Sequence, residues 1–590
     1  MSGLKRTHYC GEFSIKDEGK TVVVCGWVAR QRDLGVLIFV DLRDRTGIVQ
    51  LAFDDKTKKD IFDKAFKVRS EFVLMAKGIV RERSSKNLEI PTGEIEIAVL
   101  DLRILSVSET TPFEIIDNCQ TSESVRLKHR YLDLRRGVLQ NNIIFRHKVS
   151  KITRDYFDEQ GFIEIETPIL VKSTPEGARD FLVPSRIHPG EFYALPQSPQ
   201  LYKQLSMVAG FDRYMQIARC FRDEDLRADR QPEFTQIDFE MSFVDVEDVL
   251  GITEGYIKRL FSEALNVDIP MPIKRITYRE SMERFGSDKP DTRYDMELFS
   301  LNDEVKDTGF TVFLQAAQSG RVGAFTAKNA GAVYSRKEID KLTETAKGIG
   351  AKGLAWIKLT DDGISSSFGK FMTDDEMDAI VKKAKAETGD IVFIIADTKT
   401  DLALTVLGAL RATVAKKLDI IEEGYNFLWI VDMPFFEWDE DNNEWAAMHH
   451  PFTSPTEESL QYLETDKSKV LAKAYDLVLN GIELSSGSIR ITDPVLQKRI
   501  FTLLGLSDEE AHRKFGYLLD AFKYGAPPHG GMGIGLDRLI MQMVGCESLR
   551  DITAFPKTQN ACELMTESPS PADNEQLKEL SLAIINTAEL

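Results

Sequence analysis

Cysteine is scarce in this chain, and the cysteines present are scattered. Six occur among 590 residues; none is spaced as Cys-x-x-Cys, and no Cys/His cluster has zinc-ligand spacing. This pattern favours a reducing compartment over a disulfide scaffold. Apolar runs of about 18 residues, the length of a membrane span, are also missing. The N-terminal stretch MSGLKRTHYCGEF lacks the apolar core of a signal peptide. We therefore expect a cytoplasmic protein.

Positive charge is in deficit. The chain has 75 Lys and Arg against 94 Asp and Glu, a net charge of -19, which argues against a protein that coats nucleic acid indiscriminately, because phosphate binding needs clustered cations. The deficit is uneven. Residues 1–110 contain 19 basic and 17 acidic residues, a net of +2, so the other 480 carry 56 minus 77, or -21. At about 150 residues per domain, the length predicts several domains.

The first hundred residues predict a β-barrel. Five short runs there are rich in β-branched and aromatic residues, and Lys56–Val68, between the third and fourth runs, has helical apolar spacing. Five strands with one helix after the third are typical of the oligonucleotide-binding (OB) barrel. A generic small barrel is the alternative. The predicted strands are Thr21–Val28, Leu37–Arg43, Gly47–Phe53, Phe72–Arg81 and Glu94–Leu100.

The remainder divides by composition. A Gly- and Lys-rich stretch with few clustered polar motifs interrupts the segments that carry site-like sequence, which predicts an inserted α+β domain inside a split core. The tail after Ser568 is expected to be mostly helical. The predicted segments are 1–108 (barrel), 109–140 (linker), 141–287 (first part of the core), 288–425 (insert) and 426–590 (second part of the core with the tail).

A charged loop between two apolar runs carries the strongest chemical signal. Tyr214–Phe221 and Phe234–Phe243 predict antiparallel strands. Arg222, at the end of the first strand, can bind a phosphate through two parallel hydrogen bonds. Phe234, at the start of the second strand, can stack on a nucleobase. The alternative is a solvated charged hairpin.

Two pairs of acidic residues are expected on strands. Asp238 and Glu240 are two residues apart and therefore share one strand face, where carboxylates are costly unless each binds something. Asp476 and Glu483 flank the Asn480–Gly481 turn, a strong hairpin signal. Their oxygens can serve Mg²⁺. A polar-faced hairpin is the alternative for this second pair.

The glycine-rich segment Gly530–Arg538 is neither a Walker loop nor a dinucleotide fingerprint. Its glycines allow close approach of a ligand, and Arg538, at the start of a predicted helix, adds to the field that attracts phosphate. A tight glycine turn that packs a strand on a helix is the alternative.

Two proline-containing loops, Thr174–Asp180 and Pro196–Gln204, are expected to hold polar side chains that suit a small polar molecule. The adjacent His449 and His450 would point to opposite faces of a strand. This geometry disfavours a metal site at the two histidines.

Together these segments resemble the three signature motifs of class II aminoacyl-tRNA synthetases. Ile165–Pro168 resembles motif 1, which builds the dimer interface in that class, Phe221–Phe234 resembles motif 2 and Gly533–Arg538 resembles motif 3. With the barrel and the insert, the chain as far as Phe555 resembles the bacterial-type aspartyl-tRNA synthetases. The resemblance implies an antiparallel-sheet catalytic core in a homodimer. It also implies the use of ATP and Mg²⁺ to form aspartyl-adenylate, followed by transfer of aspartate to the 3'-terminal ribose of tRNA-Asp.

The resemblance implies roles for individual residues around ATP. Arg222 and Arg538 are the implied catalytic residues and hold the α- and γ-phosphates, while Phe234 stacks on adenine. Asp476 and Glu483 are the implied Mg²⁺ ligands. The other implied ATP contacts are Asp223, Glu224, Gln231, Glu483, Gly535, Leu536 and Asp537.

Further implied roles concern the other two substrates. Lys203 and Arg490 bind the side-chain carboxylate of aspartate, and a neutral amide would leave their charge unpaired, so asparagine is rejected. The remaining implied aspartate contacts are Glu176, Ser198, Gln200, Arg222, Asp238 and His449. The implied anticodon contacts are Arg30, Arg32, Phe39 and Gln50.

Several alternatives stay open. An asparaginyl- or lysyl-tRNA synthetase is disfavoured by Lys203, Arg490 and the insert. An asparagine-making paralogue would lack the barrel. A non-enzymatic RNA-binding relative would be expected to lose Arg222, Arg538 or Arg490. A non-discriminating enzyme would charge tRNA-Asn as well, although Leu34 and Lys86 resemble the discriminating form.

Overall fold

The computed structural model describes residues 4–174, 178–439 and 443–585. The chain forms two compact units. The first comprises Met1–His147, Leu226–Gln231 and Val544–Ala572, and the second comprises Lys148–Asp225, Pro232–Met543 and Asp573–Leu590. In this division, the whole of the predicted linker and residues 544–572 group with the barrel.

The first unit contains a closed five-stranded barrel with the strand order β1-β2-β3-β5-β4, as predicted. Side chains alternate between the interior and the surface; along β2, for example, Ile38, Val40 and Leu42 are buried. The elements are β1 (Thr21–Asp33), β2 (Ile38–Asp44), β3 (Gly47–Phe53), α1 (Lys59–Lys67), β4 (Val73–Glu82) and β5 (Ile95–Ser106).

The predicted linker is partly helical and carries buried charge. It contains α2 (Glu123–Lys128) and α3 (Arg130–Asp133), and α4 (Gly137–Glu159) begins at its end. Arg130, Asp133 and Arg136 are buried. Charged side chains are almost never buried without partners, so these residues are more than a solvated connection.

The second unit is built on an eight-stranded sheet with the order β11-β17-β22-β23-β24-β10-β9-β6. All its strand pairs are antiparallel except those of β11 with β17 and β6 with β9. The elements before the insert are β6 (Ile163–Glu164), β7 (Leu182–Pro184), β8 (Phe192–Ala194), α5 (Gln200–Val208), β9 (Arg213–Phe221), β10 (Glu233–Ser242), α6 (Val246–Leu265), β11 (Lys274–Thr277) and α7 (Tyr278–Phe285).

The predicted insert contains its own five-stranded sheet, with the order β12-β13-β16-β14-β15. Alternate residues of β13 and β16 pack on α9 and α11 on one face, and on α8 and α10 on the other. The elements are β12 (Phe299–Ser300), α8 (Thr311–Ser319), β13 (Arg321–Ala327), α9 (Arg336–Ile349), β14 (Ala355–Thr360), β15 (Gly363–Ser366), α10 (Asp374–Ala384), β16 (Ile391–Asp397) and α11 (Thr400–Leu418).

After the insert the chain returns to the large sheet. The predicted hairpin around Asn480–Gly481 is formed by β22 and β23. The elements are β17 (Phe427–Val431), β18 (Met433–Pro434), β19 (Phe436–Asp439), β20 (Glu444–Ala447), β21 (Leu471–Ala472), β22 (Ala474–Leu479), β23 (Ile482–Ile489), α12 (Pro494–Leu503), α13 (Asp508–Phe522), β24 (His529–Gly535), α14 (Leu536–Val544) and α15 (Asn574–Glu579).

Several local predictions were wrong. Gln200–Val208 is the helix α5 rather than part of a loop. The glycines of Gly530–Gly535 lie within β24, which excludes the alternative of a tight glycine turn. His449 and His450 follow β20 and are not on a strand. In the described part of the tail after Ser568, the helix α15 spans only Asn574–Glu579.

The described residues contain neither a disulfide nor a helix suited to crossing a membrane. None of the six cysteines, all of which lie in the described ranges, forms a disulfide. Among the helices of residues 4–174, 178–439 and 443–585, none combines the length and apolar character needed to cross a membrane.

The apolar face of the large sheet packs on aromatic side chains of α4 and α6. The Phe157 ring lies 5.3 Å from that of Phe239 on β10 and 5.5 Å from that of Tyr256 on α6, measured between centroids. All three side chains are fully buried. Close packing of this face leaves the opposite face of β10 and β24 available for polar groups.

Phe157→Ala should lower the free energy of unfolding of the second unit by about 3–5 kcal/mol, the range for Phe-to-Ala changes in a core. Urea titration followed by circular dichroism measures the change. Phe243→Ala is the matched control, because Phe243 is 73% exposed, and it should change stability by less than about 0.5 kcal/mol. Equal effects of the two substitutions would contradict this account of the packing.

Candidate active site

Strand pairing brings polar side chains into rows on one face of the sheet. Residues directly opposite one another on β9, β10, β24, β23 and β22 form each row. Two rows lie on the same face because their members are two residues apart on each strand. The first row is Gln216, Asp238, Gly533, Ser486 and Asp476, and the second is Tyr214, Glu240, Gly531, Ser488 and Ala474.

Glu240 is the centre of a buried ion cluster. Its side chain is fully buried and accepts hydrogen bonds from Nε and Nη2 of Arg490 at 2.9 and 3.1 Å. Nζ of Lys203, on α5, lies 3.4 Å from Oε2 of Glu240. Arg490 also donates from Nη1 to the hydroxyl of Ser488 at 2.6 Å. The cluster therefore has two cations around one carboxylate.

Asp238 completes the cluster and keeps one acceptor unused. Nζ of Lys203 lies 3.0 Å from Oδ1 and 3.3 Å from the carbonyl oxygen of Met532. Among the described residues, Oδ2 of Asp238 has no hydrogen-bond partner, nor does Nε2 of Gln200 on α5. Buried polar atoms of this kind are costly. They are suitable ligand contacts.

The cluster shifts the pKa values of its members in opposite directions. Burial raises the pKa of Asp238, although Lys203 opposes the shift. Burial also acts to raise the pKa of Glu240, but the charges of Arg490 and Lys203 outweigh burial and lower it below its ordinary value. Burial works against the charge of Arg490, and Glu240 more than compensates, so the pKa of Arg490 is raised. At neutral pH, Glu240 and Arg490 are therefore both ionised.

A second acidic cluster lies farther along the first row. Asp476 is buried, and its Oδ1 has no hydrogen-bond partner within the described ranges. Burial, followed by the negative charge of Glu483, raises the pKa of Asp476 well above its ordinary value. The charge of Asp288 acts on Asp476 in the same direction, and Nζ of Lys289 lies 3.9 Å from Glu483. A buried carboxylate beside a second carboxylate forms a suitable site for a cation.

His449 lies beside this cluster. Burial lowers the pKa of His449 to about 4, with the charge of Asp288 opposing the shift. The ring is consequently neutral at physiological pH. Within the described residues its Nε2 has no hydrogen-bond partner. In the same ranges no group of three or more His, Cys, Asp or Glu side chains has metal-binding geometry.

Two arginines expected to bind phosphate lie at strand ends. Arg222 follows β9, and its guanidinium carbon lies 5.3 Å from the ring centroid of Phe234 at the start of β10. In the described ranges its Nε is buried without a hydrogen-bond partner. Arg538, in the first turn of α14, donates from Nη1 to the carbonyl oxygen of Glu483 at 3.2 Å. The carboxylate of Asp537 accepts the backbone N–H of Thr235 at 2.8 Å.

The glycines of β24 make room for the carboxylates. A β-carbon built on Gly531 would overlap Oε2 of Glu240 and the carbonyl oxygen of Phe239, and one on Gly533 would lie 3.2 Å from Oδ1 of Asp238. The alternate residues Met532 and Ile534 are buried in the core of the opposite face. Glycine at alternate positions therefore provides the floor of the polar site.

Gln50 lies at the centre of a polar face of the barrel. Its Nε2 donates to Glu96 at 2.7 Å, and its Oε1 accepts from Arg32 and Arg83 at 2.8 and 2.9 Å. Arg32 pairs across the strands with Phe39, with its guanidinium carbon 5.7 Å from the ring centroid. This face brings three of the four expected anticodon residues together.

Three other expected residues occupy the barrel surface. Arg30 is opposite Asp41, in the row that contains Gln50. Leu34 is exposed in the connection between β1 and β2. Lys86 forms ion pairs with Glu82 and Glu94 at 3.1 Å each. The direct partners of Lys86 are therefore acidic side chains of the barrel itself.

The remaining residues that were expected to contact the substrates differ in their surroundings. The hydroxyl of Ser198 accepts the backbone N–H of Gln200 at 3.3 Å. Asp223 pairs with Arg179 in an isolated β-bridge. Oε1 of Gln231 accepts the backbone N–H of Lys557 at 2.9 Å. Glu224 follows Asp223 in the connection between β9 and β10, Gly535 ends β24 and Leu536 begins α14. Glu176 lies outside the described residues.

Several residues of the site are not evident from the sequence. Glu240 was expected on the same face as Asp238, but its partnership with two distant cations was not foreseen. Asp288 and Lys289 belong to the segment Ser287–Arg293, whose alternating charges and proline were a usable signal. Oε1 of Gln204 lies 3.3 Å from Nε2 of the buried His529, and no pattern in the sequence indicates this contact.

Comparison with known proteins decides the family. The model for "tRNA synthetases class II (D, K and N)" matches residues 122–559, and the model for "OB-fold nucleic acid binding domain" matches residues 22–105. The chain belongs to the class II tRNA synthetases. It is thus an aminoacyl-tRNA synthetase, and the resemblance to the bacterial aspartyl type is confirmed by relatives that match along the whole chain.

Two curated relatives illustrate this match. An aspartate–tRNA ligase of Ruminiclostridium cellulolyticum is 57% identical over 589 residues, which is 99% of each chain. An aspartate–tRNA(Asp/Asn) ligase of Caldanaerobacter subterraneus subsp. tengcongensis is 55% identical over 588 residues, again 99% of each chain. The structure of asparaginyl-tRNA synthetase from Pyrococcus horikoshii with asparaginyl-adenylate aligns with a TM-score of 0.58 at 19% identity and covers 94% of this chain and 98% of that chain. That last likeness is one of fold.

Gly531→Ala should destabilise this synthetase by about 1–3 kcal/mol, because the added methyl group must displace Glu240 or separate β10 from β24. Gly251→Ala is the control: the position lies on α6 with no atom within 4 Å of an added β-carbon, and alanine there should be neutral or stabilising by up to about 1 kcal/mol. Chemical denaturation measures both effects. If Gly531→Ala were as harmless as Gly251→Ala, the floor of the site would not need glycine.

Proposed function

We propose that this synthetase is an aspartate–tRNA ligase. It activates L-aspartate with ATP, releases pyrophosphate and transfers aspartate to the 3'-terminal ribose of tRNA-Asp. The observation that carries this proposal is the buried cluster of Lys203, Arg490, Asp238 and Glu240, which offers both a cation and an unused carboxylate oxygen to an amino acid that has both charges. The names of the full-length relatives support the same substrate.

Aspartate is recognised from both ends in this proposal. Asp238 accepts the ammonium group through its unused Oδ2, with Gln200 and Ser198 nearby on or before α5. Arg490 binds the side-chain carboxylate, because within the described residues Glu240 and Ser488 use three of its five N–H groups. The three contacts of Lys203 match its three N–H donors. A substrate carboxylate could therefore bind Lys203 only by replacing one of these three contacts.

ATP binds over the strand ends. Arg222 holds the α-phosphate through donors that include its unpartnered Nε, and Phe234 stacks on adenine. Arg538 holds the γ-phosphate. Asp223, Glu224, Gln231, Gly535, Leu536 and Asp537 complete the proposed contacts. His449, neutral at physiological pH, is a further proposed aspartate contact, as is Glu176, which lies outside the described residues.

The Asp476 and Glu483 pair fits Mg²⁺. Within the described residues the buried Oδ1 of Asp476 has no hydrogen-bond partner, and the pKa of its carboxyl group is raised. Carboxylate oxygens of this kind are suitable ligands for a hard divalent cation. Bound there, Mg²⁺ would neutralise phosphate charge.

Chemistry in this site depends on positioning and charge. An oxygen of the aspartate α-carboxylate attacks the α-phosphorus of ATP, and the bond from that phosphorus to the bridging oxygen of pyrophosphate breaks. Arg222 and Arg538 stabilise the charge that develops on the phosphate oxygens. A protein nucleophile is not needed, because binding in a reactive geometry supplies much of the rate.

The polar face of the barrel binds the anticodon in this proposal. Phe39 supplies a ring for base stacking, and Arg30, Arg32 and Gln50 supply hydrogen bonds beside it. The enzyme acts in the cytoplasm, in protein biosynthesis. The apolar side chains Ile163, Ile169 and Leu170, exposed in this chain, support a homodimer built through motif 1.

The purified enzyme should charge tRNA-Asp with radiolabelled aspartate and leave tRNA-Asn uncharged. Leu34 and Lys86, placed on the barrel surface, are the residues proposed to discriminate between the two. Aminoacylation of each purified tRNA measures this directly. Equal charging of both tRNAs would establish the non-discriminating activity named for several relatives, and charging of neither would overturn the proposed function.

Arg490→Lys should raise the KM for aspartate about 10- to 100-fold and leave the KM for ATP unchanged. The substitution keeps the charge but loses the fork that bonds to Glu240 and the substrate, and charge-assisted hydrogen bonds contribute about 1.5–3 kcal/mol each. Aspartate-dependent ATP–pyrophosphate exchange gives both constants. Arg490→Leu should abolish exchange.

Arg499→Lys is the control for this prediction, because Arg499 pairs with Glu464 at the surface and should tolerate the change. An unchanged KM for aspartate in Arg490→Lys would show that the carboxylate pocket is misassigned.

A further inference from the structure

A buried ion cluster outside the active site lies where α3 meets α4 in the first unit. Asp133 is fully buried and accepts from Arg130 at 2.7 Å, Arg136 at 2.9 Å and Arg126 at 3.5 Å. Burial lowers the pKa of Arg130, and the charge of Asp133 opposes the shift. Buried charges are expensive unless they are paired and fully hydrogen-bonded. The carbonyl oxygens that accept from the remaining N–H groups of these arginines therefore show which segments the cluster holds in place.

Arg130 clamps the segment that follows α14. Its Nε donates to the carbonyl oxygen of Ala554 at 2.9 Å, and its Nη2 donates to those of Arg550 and Thr553 at 2.6 and 2.9 Å. In the described part of the chain, the carbonyl partners of Arg126 and Arg136 lie instead at Thr121, Ile116 and Asp117. Arg130 is thus the member of the cluster that reaches residues 550–554.

The clamped segment in turn holds the loop between β9 and β10. The backbone N–H of Leu549 donates to the carbonyl oxygen of Ala228 at 3.0 Å, and that of Lys557 donates to Oε1 of Gln231 at 2.9 Å. These contacts anchor residues 226–231 at two points. Along the chain, Arg222 and Phe234 flank this loop.

We propose that Arg130 is a positioning residue for adenylate formation: oriented by Asp133, it fixes residues 549–557, which fix the loop 226–231 between the two proposed ATP-binding residues Arg222 and Phe234. The proposal rests on the proposed function, in which these flanking residues bind ATP. Arg130 acts through backbone carbonyls and touches no substrate. Of the two flanking residues only Arg222 is also an implied aspartate contact, so the effect on the KM for ATP is expected to exceed the effect on the KM for aspartate.

Arg130→Lys in the full-length enzyme is the test. Lysine keeps the charge beside Asp133, but one ammonium group cannot span three carbonyl oxygens and a carboxylate. In aspartate-dependent ATP–pyrophosphate exchange, the KM for ATP should rise roughly tenfold, below the hundredfold loss that a misplacement of about 1 Å can cause, and the KM for aspartate should rise less. Hydrogen exchange measured by mass spectrometry should be about tenfold faster in peptides that contain Leu549 and Lys557, and unchanged in the barrel.

Arg135→Lys is the matched control. Arg135 is close to Arg130 in sequence, but it bonds to Glu71 at 2.8 Å and lies over the Trp27 ring at 5.0 Å, so the loop should not respond to its replacement. Asp133→Asn is a second variant for the case that Arg130→Lys does not fold. It removes the charge that orients Arg130 and should give the same selective rise in the KM for ATP.

The outcomes separate the two proposals. Unchanged KM and unchanged exchange at residues 549–557 in Arg130→Lys would overturn the positioning role, as would equal rises in the KM for ATP and aspartate. Absence of aspartate-dependent exchange in the wild-type enzyme would overturn the proposed function. In that case the hydrogen-exchange measurement would still decide whether Arg130 holds the segment.

Discussion

The ion pair between Glu240 and Arg490 is the constraint on which the rest of the catalytic unit depends. A fully buried carboxylate needs partners on all sides, and here a guanidinium, an ammonium group and a glycine strand meet that need. Apolar side chains of similar volume would often serve stability as well or better. In the proposed function the cluster serves the amino-acid substrate, because within the described residues it has one cation with spare donors and one carboxylate oxygen without a hydrogen-bond partner.

Regions with strong local periodicity could be predicted from sequence. The barrel strands and the hairpin at Asn480–Gly481 have alternating or continuous apolar patterns, and the packing of the folded chain agrees with these patterns. Prediction was wrong where tertiary demands override propensity. Glycine is a poor strand former, yet β24 is rich in glycine because Glu240 and Asp238 occupy the space of side chains. The prolines at 196 and 199 concealed the helix α5, which begins immediately after the second.

The candidate site was predictable in its residue types but not in its pairings. Alternation alone placed Asp238 and Glu240 on one face, and family resemblance supplied Lys203 and Arg490. Which acid meets which cation depends on contacts between residues as far apart as 240 and 490, and no local pattern encodes that. The buried Asp133 was hidden for a similar reason: its segment reads as a solvated linker until the carbonyls of residues 550–554 are in place.

The position of the insert has a consequence for synthesis on the ribosome. β10 ends at Ser242 and its partner β24 begins at His529, so one edge of β10 has no partner strand while the chain between them is made. At roughly 5–20 residues per second, that interval is on the order of tens of seconds. The barrel and the five-stranded sheet of the insert pair only with sequence from their own segments and can fold meanwhile. The strand that carries Glu240 therefore has an unpaired edge during this interval, and such edges are prone to aggregation.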